Sequence, residues 1–455
     1  MPQPKIPAEV KYKRARQMLH GSETTPPPSS VDSETSQPTA NRSRALRLRQ
    51  ATRTQVTQIP ARLEALLPPD HLARLIWEAV ERLDLSAFYE PIQVVEGGPG
   101  QAATDPKILV ALWLYATTQG VTSARELNDL CVEHLAYIWL CGGVSMNYHT
   151  LSDFRVKHAQ ALDQLLTQLL GRLAQAGLIT FDYTAQDGIR VRASAGADSF
   201  HRQETLEKCL AEAREFLAAV RAGQGSDDEP VSPRTRAARE RAARERVGRL
   251  EAALAEMPAV QATKRADSRS EARVSSTDPT ARVMKMPDGG FRPAYNLQFA
   301  VDTAQRVITG VDVTNAGSDK SEMPPMVEQV EARCHQLPQD WLMDGDFVSH
   351  TAINTGTAKG LRILAPVPEP KDKERNQALP LPGDSPAVAE WRKRMATPEA
   401  QATYKLRAAT SELVNAQVRS RYELLQLRVR GLVKVLCVAL WIAITHNLLI
   451  WLRHP

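Results

Sequence analysis

The sequence predicts an α/β protein whose first third is all helical and whose remainder alternates strands and helices around one long helical insertion. Three observations carry that expectation. Apolar residues recur at helical spacing through residues 60–175. Short apolar runs of strand character begin at Leu178 and recur near 295–302, 307–313, 341–344 and 361–367. Between the first two runs, residues 203–258 carry apolar side chains at heptad-like spacing. The resulting order β, β, β, α, β, α, β, α is an α/β sheet layout.

The leader comes first. Residues 1–60 are rich in Pro, Ser and Thr and hold ten Lys and Arg against four acids, a surplus of six, while the whole chain carries +5. Such a segment buries too little apolar surface to fold, so 1–60 reads as a disordered basic arm. It suits a phosphate backbone, or equally stands solvated without a partner. No apolar stretch marks a signal peptide. The chain beyond it is globular in composition, 43% hydrophobic and 24% charged.

Residues 61–176 read as a helical domain that binds DNA. Thr104, Asp105 and Pro106 mark a helix start, followed by the stripe Ile108, Leu109, Leu112 and Tyr115. A second helix is expected from about Ser123 to Leu140, ended by Gly142 and Gly143. A third is expected from Thr150 or Ser152 through Leu162. Helix, glycine turn, helix fits a helix-turn-helix reader of DNA, and fits plain helix packing as well.

Residues 177–455 read as the α/β part, with the hairpin inserted at about 200–260. The run Leu178–Asp187 is expected to be a strand with Asp187 at its end. Leu206, Leu210, Ala213, Leu217 and Val220 then face Val247, Leu250 and Leu254 across a break at Gly223–Pro233. The arginines of 234–249 read as a solvated helix face, with DNA contact as the less common alternative. Trp341–Asp344 is expected to be a strand ending in an acid, 366–385 a loop, and Tyr404–Leu452 two helices. Val435–Ile444, the most apolar segment, is too short to span a bilayer and reads as a core helix, so no membrane partner is expected. The five cysteines form no CxxC pair and lie at no zinc spacing, which fits reduced thiols in a cytoplasmic, nucleoid-associated protein.

The chemistry rests on acids. Hard divalent ions take oxygen ligands, and two of them close together can activate an attacking oxygen and stabilise a leaving one on phosphorus. Acids at the ends of neighbouring strands, with one on a facing helix, supply such ligands from distant positions. Asp187, Asp344 and Glu412 have those placements, although most of the 52 acids serve only solubility.

Several segments, taken in order, resemble the DDE transposases of bacterial insertion sequences, and in particular the insertion-sequence eleven-eighty-two group. They are Thr150–Arg155; Asp187-Gly188-Ile189-Arg190-Val191; Thr277-Asp278-Pro279-Thr280-Ala281; Tyr295-Asn296-Leu297-Gln298; Asp344-Gly345-Asp346-Phe347; Tyr404-Lys405-Leu406-Arg407 with Glu412 and Arg419; and Arg430-Gly431-Leu432 with His446-Asn447-Leu448-Leu449. The resemblance spans roughly 65–453. It implies a ribonuclease H-like catalytic domain with a helical insertion, preceded by the all-helical N-terminal domain. It implies Asp187, Asp344 and Glu412 as catalytic ligands of two Mg²⁺ or Mn²⁺ ions, with Tyr404, Arg407 and Arg419 binding DNA. The implied partners are terminal inverted repeats and target DNA, engaged by a homodimer.

The sequence departs from the pattern at Asp346 and Phe347, where the family has Gly and Tyr, at Ala294 and at Arg419. Asp346 is thereby a rival or additional ligand. Three other readings compete: a metal-dependent nuclease of the same fold, a catalytically inactive DNA-binding protein derived from a transposase, and a helical interaction protein built on the 203–258 hairpin. The last leaves the acids and strands unexplained. His149 and His446 read as structural, and Asn296 and Gln298 as either orienting the acids or satisfying the sheet.

Overall fold

The helical segment contains α1 (Leu72–Glu81), α2 (Ser86–Tyr89), α3 (Pro106–Thr118), α4 (Ala124–Glu133), α5 (Leu135–Cys141), α6 (Tyr148–Lys157) and α7 (Ala159–Gln175). The computed structural model describes residues 62–94, 102–222, 232–369 and 376–454. The arm expected over 1–60 and most of the Gly223–Pro233 break lie outside those residues. α3 starts as expected: the Asp105 carboxylate accepts the Lys107 N–H at 2.8 Å, with Pro106 in the first turn.

The next two expected helices are each split by a histidine. His134 is extended, and its Nδ1 accepts the Ala136 N–H at 3.2 Å, so it ends α4 and caps α5. His158 separates α6 from α7 in the same non-helical way. α6 begins at Tyr148 under an Asn147 cap, earlier than Thr150.

The sheet is mixed and has six strands. β1 (Tyr183–Arg192) lies at its centre. A two-stranded ribbon, β2 (Phe200–His201) with β3 (Val274–Ser275), follows outside the sheet. β4 (Arg282–Lys285) and β6 (Ile308–Thr314) pair with successive parts of one edge of β5 (Phe291–Asp302). The other edge of β5 pairs antiparallel with β1. On its far side β1 pairs in parallel with β7 (Asp340–Leu342), which pairs in parallel with β8 (Arg362–Leu364).

β1 corrects the expectation: it starts five residues later than read and runs through Asp187 rather than ending there. Phe181 adopts a left-handed φ of 56°, and the Asp302 carboxylate accepts the Thr180 and Phe181 N–H groups at 3.2 Å each, so 178–182 turns instead of pairing. β4 was not anticipated, although Pro287-Asp288-Gly289-Gly290 is a tight-turn sequence that closes its hairpin with β5.

One sheet face presents Ile189, Val191, Tyr295, Leu297 and Phe299 to a core shared with α3, α7 and α15 (Leu432–Trp451). This core is continuous across the 176/177 boundary. The opposite face, through Ala300, Trp341 and Ile363, packs on α10 (Met323–Cys334), α11 (His350–Ala358) and α12 (Pro386–Met395). α15 is long and apolar enough to cross a membrane, but it is buried inside the fold. The insertion forms two helices, α8 (Gln203–Arg221) and α9 (Pro233–Ala262), with a small core of their own. Leu206, Leu210, Ala213, Val247 and Leu250 enter it as expected.

Candidate active site

β1 delivers Asp187 and β7 delivers Asp344. The parallel register pairs Ala185 with Leu342, and two residues further along each strand stand Asp187 and Asp344. The pairing stops at Leu342, but Asp344 follows two residues later and lies near enough for its negative charge to act on Asp187. Asp344 itself lies past the end of β7, where its Oδ1 accepts the Asp346 N–H at 2.8 Å and caps a short 3₁₀ turn. Asp346 is thereby turned into that loop, and it does share a like-charge interaction with Asp344.

A third wall comes from the C-terminal region. After α13 (Pro398–Tyr404) the chain makes a π turn at Ala408–Glu412 and continues as α14 (Leu413–Ser420). Arg407 opens that turn. Its guanidinium lies 3.7 Å from Asp187 Oδ2 and over the Tyr404 ring, with its centre 5.9 Å from the ring centroid. Asn415 Nδ2 donates to the same Asp187 oxygen at 3.0 Å. The other oxygen, Oδ1, accepts the Gly188 N–H at 2.9 Å.

Burial raises the Asp187 carboxyl to about 6; Arg407 opposes the shift, and the negative charges of Asp344 and Asp319 add to it. Burial also raises Asp344, with the Asp346 N–H and Arg407 opposing. Burial raises Tyr404, and Arg407 pulls it back. Burial alone would lower Arg407, but Tyr404 and Asp187 outweigh it and the guanidinium is held more firmly charged. Two half-buried carboxylates beside one cation form a site short of positive charge.

The expected residues are therefore only partly gathered. Asp187, Asp344, Tyr404 and Arg407 converge. Glu412 sits at the end of the π turn, exposed, with no hydrogen bond or ion pair among the described residues. Arg419 is half-exposed on α14 and likewise has no hydrogen bond or ion pair among them. No group of three His, Cys, Asp or Glu among the described residues is close enough to hold a metal. Asn415 is the site residue that sequence reasoning missed. Its spacing gave no signal, because eight residues beyond Arg407 lies about 80° around an ordinary helix and only the π turn between them brings it to the Arg407 face.

Asn296 and Gln298 do not face Asp187. The β1–β5 register sets Gln298 opposite Gly188 and Asn296 opposite Arg190, on the other face from Asp187. There both amides donate to Asp319 Oδ1 at 2.6 Å, while Arg190 lies 3.8 Å from Asp319 Oδ2. A β-carbon on Gly188 would stand 2.6 Å from the Gln298 amide and 2.7 Å from that of Asn296, so glycine is required beside Asp187.

Other recurring residues tie the fold together. Asp278 Oδ1 accepts from Tyr295 Oη at 2.7 Å and from the Gly431 N–H at 3.1 Å, which joins three sequence-distant segments. The Asn447 amide donates to the Ile308 carbonyl and accepts its N–H, and so fastens α15 to β6. His446 is structural as read, its Nε2 at 2.9 Å from the Arg306 carbonyl.

Residues 61–157 match the family described as Transposase domain (DUF772), and residues 371–450 match the family described as Transposase DDE domain. These matches support a DDE-type transposase. The first covers the helical segment as far as α6 and stops before α7, and the second covers Tyr404, Arg407, Glu412, Asn415 and Arg419; Asp187 and Asp344 lie outside both. The mixed α/β fold, with its helical N-terminal region, is compatible with a DDE transposase. No curated protein and no solved structure matches the chain.

Proposed function

We propose that the protein cuts DNA at the ends of an insertion sequence and joins those ends to target DNA, as a DDE transposase of the insertion-sequence eleven-eighty-two group. The observation that carries this reading is the meeting of Asp187, within the central strand β1, and Asp344, just past the end of the neighbouring parallel strand β7, beside Arg407 from the DDE-domain match. Three antiparallel strands joined to two parallel ones, with the Asp187 strand between them, support a ribonuclease H-like catalytic domain over 177–455. The segment 61–176 is then the DNA-binding domain.

The donors fit a hard divalent cation in two of three positions. Asp187 and Asp344 would supply oxygen ligands in a site short of positive charge, and Glu412, exposed at the end of the π turn and apart from them, would have to turn in as the third. Two Mg²⁺ or Mn²⁺ ions bound there supply the Lewis acidity that activates water and a DNA 3′-OH. The protein's own groups prepare the site. Arg407 balances the aspartates, and Asn415 fixes one Asp187 oxygen by a charge-assisted hydrogen bond. Tyr404, Arg407 and Arg419 hold the phosphate backbone of terminal repeats and target. Transposition joins two ends, so the working unit is a homodimer on DNA, in the cytoplasm at the nucleoid.

The test is cleavage of a labelled duplex carrying the native ends, with Mg²⁺ or Mn²⁺. Wild type and Asp346→Asn cut, while Asp187→Asn, Asp344→Asn and Glu412→Gln do not. Active Asp344→Asn beside inactive Asp346→Asn moves the second ligand to Asp346. One observation favours a rival: Glu412 stands away from the pair, as in a DNA-binding protein that no longer cleaves. Wild type that binds the ends and never cuts with either ion establishes that rival.

A further inference from the structure

We propose that the α8–α9 hairpin is a DNA-holding arm, whose outer arginines grip the phosphate backbone without reading sequence. This rests on the transposase reading for the identity of the polyanion.

The hairpin is inserted between the strand that carries Asp187 and the strands that pair with it. Its helices pack mainly on each other, and the residues of their seam form a separate small core. They leave the sheet beside the β2–β3 ribbon, so α8 carries its far end about 28 Å outward at 1.5 Å per residue. Cohesion of the hairpin accounts for its inward face alone.

The outward face is basic. Residues 233–249 hold seven arginines against two glutamates. Ala243, Val247 and Leu250 define the buried side. On an ideal helix Arg234, Arg241 and Arg249 fall on the opposite side, within about 80° of one another and spread over about 22 Å, with Arg234 and Arg241 exposed and Arg249 partly buried. Arg244 and Arg221 both reach Glu240, and Arg214 reaches Glu251. Among the described residues Arg234, Arg241 and Arg249 have no hydrogen bond or ion pair. Glu245 is the one acid of that stripe. A row of unpaired guanidinium groups of this length matches several successive phosphates of a duplex and releases their counterions.

A second feature lies at the root of the arm. A groove of about 590 Å³ separates the end of α9 from the 315–318 loop, lined by Lys264, Arg273 and Arg282 among others. Lys264 and Arg273 are exposed and have no partner among the described residues. Gly317 of that loop accepts from Arg190 at 3.1 Å, and Asp319 follows two residues later. Unpaired positive charge therefore occurs at the root of the arm near the catalytic sheet and again along its outer half.

The test uses the full-length protein and anisotropy of a labelled duplex carrying the element end, with a scrambled duplex beside it, over a salt series. Arg234, Arg241 and Arg249 are replaced together by Ala; all three lie outside the core, and a melting curve checks that the fold is kept. The slope of log K against log salt should fall by about 2 to 3, equally on both duplexes. Glu245→Gln should bind more tightly than wild type at the same salt. An unchanged slope with an intact fold overturns the proposal, as does a loss confined to the native end, because phosphate contacts carry no sequence. Wild type that shows the expected slopes and never cuts leaves the arm standing and removes only the transposase chemistry.

Discussion

Burial raises the Asp187 carboxyl to about 6, and the positive charge of Arg407 works against that shift in favour of the carboxylate. Asn415 contributes the one side-chain hydrogen bond that Asp187 receives from the helix beside it. A hydrogen bond to a charged group contributes about 1.5–3 kcal/mol. Asn415→Leu should therefore slow single-turnover cleavage about 10- to 100-fold with little change in melting temperature. Unchanged cleavage would mean that the contact matters only in the resting protein. Tyr295 acts at the same scale in a structural role. Tyr295→Phe removes a donor from the buried Asp278, whose Oδ2 already has no partner. The loss should be about 1–3 kcal/mol in denaturant unfolding, and a value near zero would show that Gly431 and Thr280 suffice. The acids, Tyr404 and Arg407 were legible as residue types in the sequence. Asn415 was not, because an asparagine on a helix has no chemistry until something stands opposite it.

At the scale of elements, the π turn at Ala408–Glu412 determines which side chains α14 turns inward. Single π turns inside helices are uncommon and often lie at functional sites. Ser411 Oγ donates to the Arg407 carbonyl at 3.1 Å within the turn. The α8–α9 arm behaves as a separate cohesive unit. Leu210→Ala with Leu250→Ala should remove hydrogen-exchange protection from the arm and leave the β1 and β5 amides protected. Loss of protection throughout would show that arm and sheet unfold together. Both helices of the arm follow from periodicity in the sequence. The breaks at His134 and His158 do not, because each depends on one residue leaving helical geometry inside a run that otherwise keeps helical spacing.

Over the whole molecule, β6, α15 and the segment ahead of α15 are tied through His446 and Asn447. Burial depresses the His446 imidazole from 6.5 to about 4, so the folded state keeps it neutral. Above about pH 6.5 the ring is neutral in both states and costs nothing. As the pH falls from there towards 4, the unfolded chain takes up a proton that the folded chain refuses, and stability is lost by an amount on the order of 3 kcal/mol. His446→Gln should therefore lose less stability than wild type between pH 7 and pH 4.5, read as the difference between their unfolding midpoints. Parallel pH curves would show that the ring is protonated in place. Buried acids such as Asp302 and Glu322 have raised values and act with the opposite sign, so the comparison of variant with wild type is what isolates the histidine.

By itself the sequence determined the local features, since these depend on residues a few positions apart. They include α3 from Asp105 and Pro106, α10 at Met323–Cys334, the strands near 295–302 and 307–313, the helical arm, and α15 as an apolar core helix. It also determined the chemistry available, as acids, a tyrosine and arginines in a recurring order. Only the tertiary structure decided that Asp187 stands within a strand and near Asp344, that Arg407 and Asn415 turn onto Asp187, and that Asn296 and Gln298 serve Asp319 on the other face. Those outcomes depend on strand register and on one extra residue in a helical turn. A shift of one position there reverses the face a side chain occupies, and no local pattern specifies it.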